Sequence, residues 1–426
     1  MKTQRRWLAA ICIVMAACSA TNEPMAATND AITSVDDTAV REQSIDNCWL
    51  YATAAWAEQM HLQTTRQVVD VSEAYWTFWY WYDQIVGGDV SDSYAQVRLP
   101  DDGVVSGAFW GTAVELARRY GWMREADFMP TGVSKSEFHT AALKRLNDEV
   151  KTGVLSTEAA RANKKVVMNE LLRVWGVRPQ VANNIRQVFG DLGDKTLVGS
   201  ARAAGFVRPL RELRSRSLNG QELLGFDDVI GTPRAGTDIW EGVREGQWAW
   251  TNFNTSKASS ARSLLRSIQE TLNSDLSVPL SWLVTEDVRG GVYGAIGSGE
   301  EIGEHLSILV DYEASMVPGF GTLKLGEPAS QAARQAALDV SARVEKLRIK
   351  NSWGKEPTWS QTGVPSVPDA TVLRTYLPAK PGYNDLLTSY LLKTSSANLS
   401  RANLRDANLL GVALPLAQLR HRPDQP

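Results

Sequence analysis

The chain has 426 residues, with 45 Lys and Arg against 48 Asp and Glu, and 43% of it is hydrophobic. At roughly 150 residues per domain this length suits two or three domains with a large core. The net charge of −3 excludes wholesale disorder and an electrostatic nucleic-acid binder. Four histidines, at 61, 139, 305 and 421, leave little material for a metal site, and no metal or cofactor is expected. The cysteines are Cys12, Cys18 and Cys48 alone, too few and too clustered for a disulfide framework, so each thiol needs its own account.

Residues 1–17 read as an export signal. Lys2, Arg5 and Arg6 form a basic start, and the apolar run 7–17 is shorter than the about 20 residues that span a bilayer. Met15-Ala16-Ala17-Cys18 resembles the lipobox of bacterial lipoproteins, although Leu usually stands where Met15 is. The resemblance implies a lipid on Cys18 and attachment to a membrane of the cell envelope. Ser19 after the cysteine implies the outer membrane. An ordinary signal peptide with an incidental Cys18 is the alternative. The small, polar stretch 18–38 reads as a tether. No later segment has the pattern of a transmembrane helix, so the body is expected to be soluble beside the membrane.

At Cys48 polar turn formers give way to a helical pattern running to about Met60, with Asn47 as the expected cap. A thiol at a helix N-terminus feels the positive end of the backbone dipole, which favours thiolate. A buried, inert cysteine packed among Trp49, Tyr51 and Trp56 is the structural alternative. Further on, 304–312 alternates as a strand, with Leu306, Ile308 and Val310 on one face and His305 opening the other. A second strand, 347–350, ends in Asn351-Ser352-Trp353-Gly354. A nucleophile, a base and an amide to orient the base are the parts of a thiol protease.

Gln43, then Cys48-Trp49, a later His305 opening an apolar strand, and Asn351-Ser352-Trp353-Gly354 together resemble the papain superfamily of cysteine peptidases. Cys48-Trp49-Leu50 before an Ala-rich helix, the aromatic run 71–83, and Asp102-Gly103 followed by Arg119-Tyr120-Gly121-Trp122 are similar to the bleomycin hydrolase (aminopeptidase C) branch. The resemblance spans about 40–130 and 245–360. It implies Cys48 as nucleophile, His305 as general base and later acid, and Asn351 as the group holding the imidazole. Gln43 would donate to the oxyanion, and Trp353 would shield the Asn–His contact. It also implies a peptide or protein substrate and a thiol that rests as thiolate beside imidazolium, unusually reactive.

The sequence departs from that pattern in places. The Gln43–Cys48 gap is one residue short, and Asp46 brings a negative charge near the thiol, which raises its pKa unless the carboxylate points to solvent. The long interval between Cys48 and His305 holds 134–244, rich in helix formers, which reads as a helical insertion; the region 331–344 also looks helical. The basic stretch with Arg208, Arg211, Arg214 and Arg216 reads as a solvated helix face. Tyr75, Phe78, Trp79 and Tyr82 share one helical face and are expected in the core. Trp76 and Trp81 are left over, for core or cleft. Near the C-terminus, Ala397-Asn398-Leu399, Ala402-Asn403-Leu404 and Ala407-Asn408-Leu409 repeat with period five, and 412–416 continues weakly. That resembles pentapeptide-repeat proteins, with a terminal helix as the alternative.

The expected architecture is α+β: a two-lobed papain-like fold with a helical insertion. Its parts are a signal peptide (1–17), a tether (18–38), a helical lobe (39–133), the insertion (134–244), a β-rich lobe (245–392) and a C-terminal appendage (393–426). The expected function is peptide-bond hydrolysis through an acyl-thioester on Cys48. The alternatives are a catalytically inactive papain-like lipoprotein that binds a partner in the envelope, or acyl transfer to an amine.

Overall fold

A computed structural model describes residues 38–87, 99–100, 103–197, 205–216, 222–231, 243–244, 247–253, 258–354, 382–397 and 410–415. The export signal, Cys18 and nearly all of the tether lie outside the described residues, as do 398–409 with most of the Ala-Asn-Leu repeats. The architecture is mixed helix and sheet. Among the described residues no helix is long and apolar enough to cross a membrane.

The first half is helical. α1 (Cys48–Thr65), α2 (Glu73–Val86), α3 (Trp110–Tyr120) and the short α4 (Glu125–Phe128) are followed by α5 (Lys135–Lys151), α6 (Glu158–Ala162), α7 (Lys164–Val174) and α8 (Pro179–Phe189). Ser72 caps α2 by accepting the Tyr75 N–H, and Gly87 closes it in the left-handed conformation at φ 67°. Helices α5, α7 and α8 bury their apolar residues in the same core as α1–α3, so this stretch is continuous with the helical lobe. It is also not purely helical: β1 (Arg214–Arg216) and β2 (Leu223–Gly225) pair antiparallel, before the short α9 (Phe226–Val229). The basic stretch is thus an isolated bridge at Arg208, a single 3-10 turn and a strand. Arg208 pairs with Glu212 and Arg211 with Asp227, so local ion pairs hold an irregular chain where a helix face was expected.

The second half is a sheet. Its strands are β3 (Trp248–Phe253), β4 (Val278–Thr285), β5 (Val288–Arg289), β6 (Val292–Tyr293), β7 (Glu301–Val317), β8 (Gly321–Leu323), β9 (Arg343–Lys350), β10 (Tyr383–Leu387) and β11 (Leu410–Pro415). The order is β3-β11-β4-β7-β9-β10-β6-β5, with β8 on β7. Helices α10 (Ala258–Leu272), α11 (Gln331–Ala336) and α12 (Thr388–Ala397) complete it. Two expectations are corrected here. The helical pattern after Gln331 lasts only to Ala336, and β9 begins at Arg343, because pairing with β7 claims that chain. The C-terminal stretch 410–415 is neither solenoid nor appendage: it pairs antiparallel with β3 and touches β4, inside the sheet.

β7 joins the two halves. Leu306, Ile308 and Val310 face the helical core, while Leu309, Tyr312 and Ala314 face a second core made with α10 and β9. The alternation read from the sequence holds, but both faces are buried. α1 packs across β7, which brings the N-terminus of α1 to the β7 residues that start the strand.

Candidate functional site

A cleft of about 370 Å³ opens where α1 meets β7. It is lined by Gln43, Asp46, Cys48 and Trp49 on one side, and by Val284, Ile302, Gly303, Glu304, His305 and Trp353 on the other. Gly107, Ala108 and Phe109 supply a further wall. Four of the five residues expected at the site, Gln43, Cys48, His305 and Trp353, therefore stand around one space. The fifth, Asn351, lies behind His305.

His305 Nε2 is 2.7 Å from Asn351 Oδ1, so this nitrogen carries the proton and donates. Asn351 in turn donates through Nδ2 to Asn384 Oδ1 at 2.9 Å, and Asn384 donates to the Gly291 carbonyl at 3.2 Å. The orienting amide is thus itself oriented. The Trp353 ring lies 4.9 Å from the imidazole, centroid to centroid, at 34°, and Trp282 meets its edge at 5.7 Å and 83°. Trp282 sits directly across the β4–β7 pair from His305 and fixes its own ring by donating to Ser307 Oγ at 3.1 Å. With Nε2 committed to Asn351, Nδ1 is the nitrogen left for the thiol. Asn384 and Trp282 were not singled out from the sequence. Asn384 follows Asn351 by 33 residues with no motif around it, and only the register of β9 and β10 brings the two together.

The register of the loop around Asn351 comes from the other end of the chain. Glu42 bridges antiparallel to Trp353, Gln43 N–H donates to the Ser352 carbonyl at 2.7 Å, and Gly354 N–H donates to the Arg41 carbonyl at 2.9 Å. Gly354 has φ 77°, and a Cβ there would meet the Glu42 side chain at 3.1 Å, so glycine at the end of the Asn-Ser-Trp-Gly motif has a local reason. Arg41 is anchored beneath by ion pairs with Glu58, Glu73 and Asp70, and Lys135 bridges Glu73 and Glu125 at 2.7 Å each. Burial pushes Glu58 up to about 7 against the pull of Arg41, while Glu73, buried but between Arg41 and Lys135, is held down at about 2.

The wall at 103–109 is held by the aromatic helix. Trp81 Nε1 donates to the Val105 carbonyl at 3.2 Å, Tyr80 hydroxyl to Gly107 at 2.8 Å, and Trp49 Nε1 to Ser106 at 2.7 Å. Trp76 is buried and donates to the Gly121 carbonyl at 2.8 Å. Trp76 and Trp81 therefore line no cleft; they tie down backbone carbonyls, and Trp81 shapes the wall from behind.

Three local expectations are corrected. Asn47 occupies the cap position of α1 but its side chain does not cap; Nδ2 donates to Thr77 Oγ1 at 3.2 Å and lies 3.5 Å from His139 Nδ1. Nδ2 is the amide's donor and cannot cap a helix N-terminus, while Oδ1, which could, is buried with no hydrogen-bond partner among the described residues. Gln43 lines the cleft, but its Nε2 donates to the Ile45 carbonyl at 3.3 Å and its Oε1 accepts from Ser352 Oγ. The amide is thus tied to its own loop and to Ser352, with one N–H of Nε2 left for a ligand.

The third correction concerns protonation. Burial pushes the Cys48 thiol up to about 11. Backbone N–H groups of Leu306, Trp49 and Cys48 itself pull it down, and Asp46 pushes it up again. Burial likewise lowers His305 to about 4, against the upward effect of Asn351. The pair therefore rests as thiol and neutral imidazole, where thiolate and imidazolium were expected, because desolvation outweighs the helix end and Asp46 adds to it. Cys48 keeps partial exposure at the cleft, so the next charge to enter that space changes the balance.

The chemistry open to this arrangement is nucleophilic: a thiol, a base held in one tautomer, and helix-end N–H groups beside the sulfur. Among the described residues no group of His, Cys, Asp and Glu has the makings of a metal site. No protein-family model matches the chain, and no curated protein matches it.

Proposed function

We propose that this protein is a papain-like cysteine peptidase, nearest in pattern to the bleomycin hydrolase branch, that hydrolyses peptide bonds through an acyl-thioester on Cys48. We place it in the bacterial envelope, held by a lipid on Cys18. The observation that carries the reading is the 2.7 Å bond from His305 Nε2 to Asn351, covered by Trp353, in a cleft whose opposite wall is Cys48. In the reaction His305 Nδ1 takes the thiol proton as the sulfur attacks the carbonyl carbon. The C–N bond breaks, the imidazolium returns its proton to the leaving amine, and water then cleaves the thioester to acid and thiol. N–H groups at the start of α1 serve the oxyanion, with Gln43 joining if its amide leaves Ile45.

The test is a peptide library incubated with the full chain and read by mass spectrometry. Cleavage that disappears in Cys48→Ala and His305→Ala supports the reading; cleavage that survives Cys48→Ala, or none at all, refutes it. A second reading, an inactive papain-like lipoprotein that binds a partner, draws support from the raised thiol and the committed amide of Gln43. It requires no cleavage of any peptide together with saturable capture of one. The anchor is tested by incorporation of labelled palmitate, which Cys18→Ser should abolish.

A further inference from the structure

The cleft is charged on one side of the scale only. Asp46 lines it from the turn that precedes Cys48, and Glu304 lines it from β7 beside His305. One carboxylate thus stands next to the nucleophile and the other next to the base. Both residues reach solvent, Glu304 from surroundings mostly filled by protein, and no Lys or Arg is among the described residues that line the space. Glu301, on the same strand end, adds to the negative potential at Glu304. Between the carboxylates, Val284, Ile302 and Phe109 offer apolar wall, the surface that a methylene stem covers while its charged head reaches polar groups.

Resting on the peptidase reading for its chemistry, we propose that this cleft selects substrates carrying a positive group, held between Asp46 and Glu304. The group is the ammonium or guanidinium of a Lys or Arg side chain. Its arrival does more than bind. The carboxyl of Glu304 is held above its ordinary range by burial and by Glu301, and Asp46 opposes thiolate at Cys48. A cation placed there relieves both, since an opposite charge within about 4–6 Å favours the ionised acid by roughly 1–3 pKa units. The same cation lies near the sulfur and stabilises the thiolate. A substrate of the right charge therefore helps switch on the nucleophile that attacks it, and a neutral or acidic one meets a resting thiol.

The test uses two methanethiosulfonates with the same sulfur chemistry, one bearing a trimethylammonium and one a sulfonate. Each is applied to the full chain, and modification at Cys48 is followed by peptide mapping. The cation-to-anion rate ratio, divided by that of free cysteine, is expected to be about tenfold or more at low salt and to shrink at high salt. Asp46→Asn and Glu304→Gln should each lower it at least threefold. A ratio equal to that of free cysteine, or one unmoved in both variants, overturns the proposal. This measurement needs no turnover, so it stands apart from the peptidase reading. Cleavage of three peptide sets then identifies the source of the charge: N-acetylated with Lys, free at the amine without Lys, and N-acetylated acidic. Preference for the first supports the side-chain selection; preference for the second, or equal cleavage of the acidic set, overturns it. If no set is cleaved in a Cys48-dependent way, the peptidase reading falls and the rate ratio alone decides the charge preference.

Discussion

The protonation of Cys48 is the most exacting prediction. With the thiol near 11, its thiolate fraction at pH 7 is about one in ten thousand, against about 3% for a free cysteine of pKa 8.5. A more basic thiolate is also the better nucleophile, which with a Brønsted slope of 0.4–0.5 recovers roughly tenfold. Alkylation of Cys48 by iodoacetamide at pH 7 should therefore run about 20- to 30-fold slower than free cysteine, rising with pH up to about 11. Asp46 lies two residues away, and side chains so spaced stand roughly 7 Å apart. At an effective dielectric constant of about 40, suited to an exposed carboxylate, their interaction is about 1 kcal/mol. Less the nucleophilicity lost with the lowered pKa, Asp46→Asn should accordingly raise the rate at pH 7 about two- to threefold. The measurement is peptide mapping of Cys48 across pH 5–11 in both proteins. Rapid alkylation that is flat from pH 5 to 8 would mean a standing thiolate–imidazolium pair and would refute the argument from burial. An unchanged rate in Asp46→Asn would refute the part assigned to that carboxylate.

Asn351→Ala should lower kcat by about 10- to 100-fold with little change in KM, since the imidazole loses its orientation and not its place. Asn384→Ala should do the same more weakly, and an effect confined to KM would argue against both. Gly354→Ala places a Cβ at φ 77° against Glu42 and should cost about 1–2 kcal/mol in urea unfolding. Arg41→Met removes the shared partner of the buried Glu58 and Glu73 and should cost roughly 3–5 kcal/mol. For Glu58 the folded pKa is raised from 4.5 to about 7. Its contribution is full below 4.5 and is lost as pH rises through about 7. The stability of wild type relative to Glu58→Gln should therefore fall across that window, by up to about 1.4 kcal/mol per pH unit. A difference that rises with pH would reverse the assignment.

What the sequence disclosed was the convergence of residues carried by short motifs and single faces. Cys48, His305 and Asn351 were legible because each sits at the boundary of an element whose period is readable, and the alternation of 306–310 put His305 on the right side of its strand. Their protonation was not legible, because it depends on how much chain packs around them, which no local pattern records. Trp76 and Trp81 were ambiguous for a related reason. A helix buried all round leaves every residue looking like a candidate for some face, and only the carbonyls of the 103–109 wall and Gly121 explain why tryptophans are needed. Asn47 and Gln43 were misjudged in orientation because each amide has a buried partner, Thr77 and Ser352, whose proximity is tertiary. The helical reading of 208–216 and of 337–344 failed where strand partners overrode propensity.

The placement of β11 bears on how the molecule comes into being. Residues 410–415 sit between β3 and β4, strands laid down well over a hundred residues earlier, while the segment 41–43 at the opposite end of the chain holds the loop of Asn351. The pairing of 41–43 waits for residues 352–354, and that of β3 and β4 with β11 waits for residues 410–415; such distant closures are slow to form. A chain cut short anywhere before residue 410 would lack the strand that joins β3 to β4. The cleft itself needs Gln43 and Trp353 together, so it assembles only after residue 354 has been made, and a shorter product would carry a cysteine without a site around it.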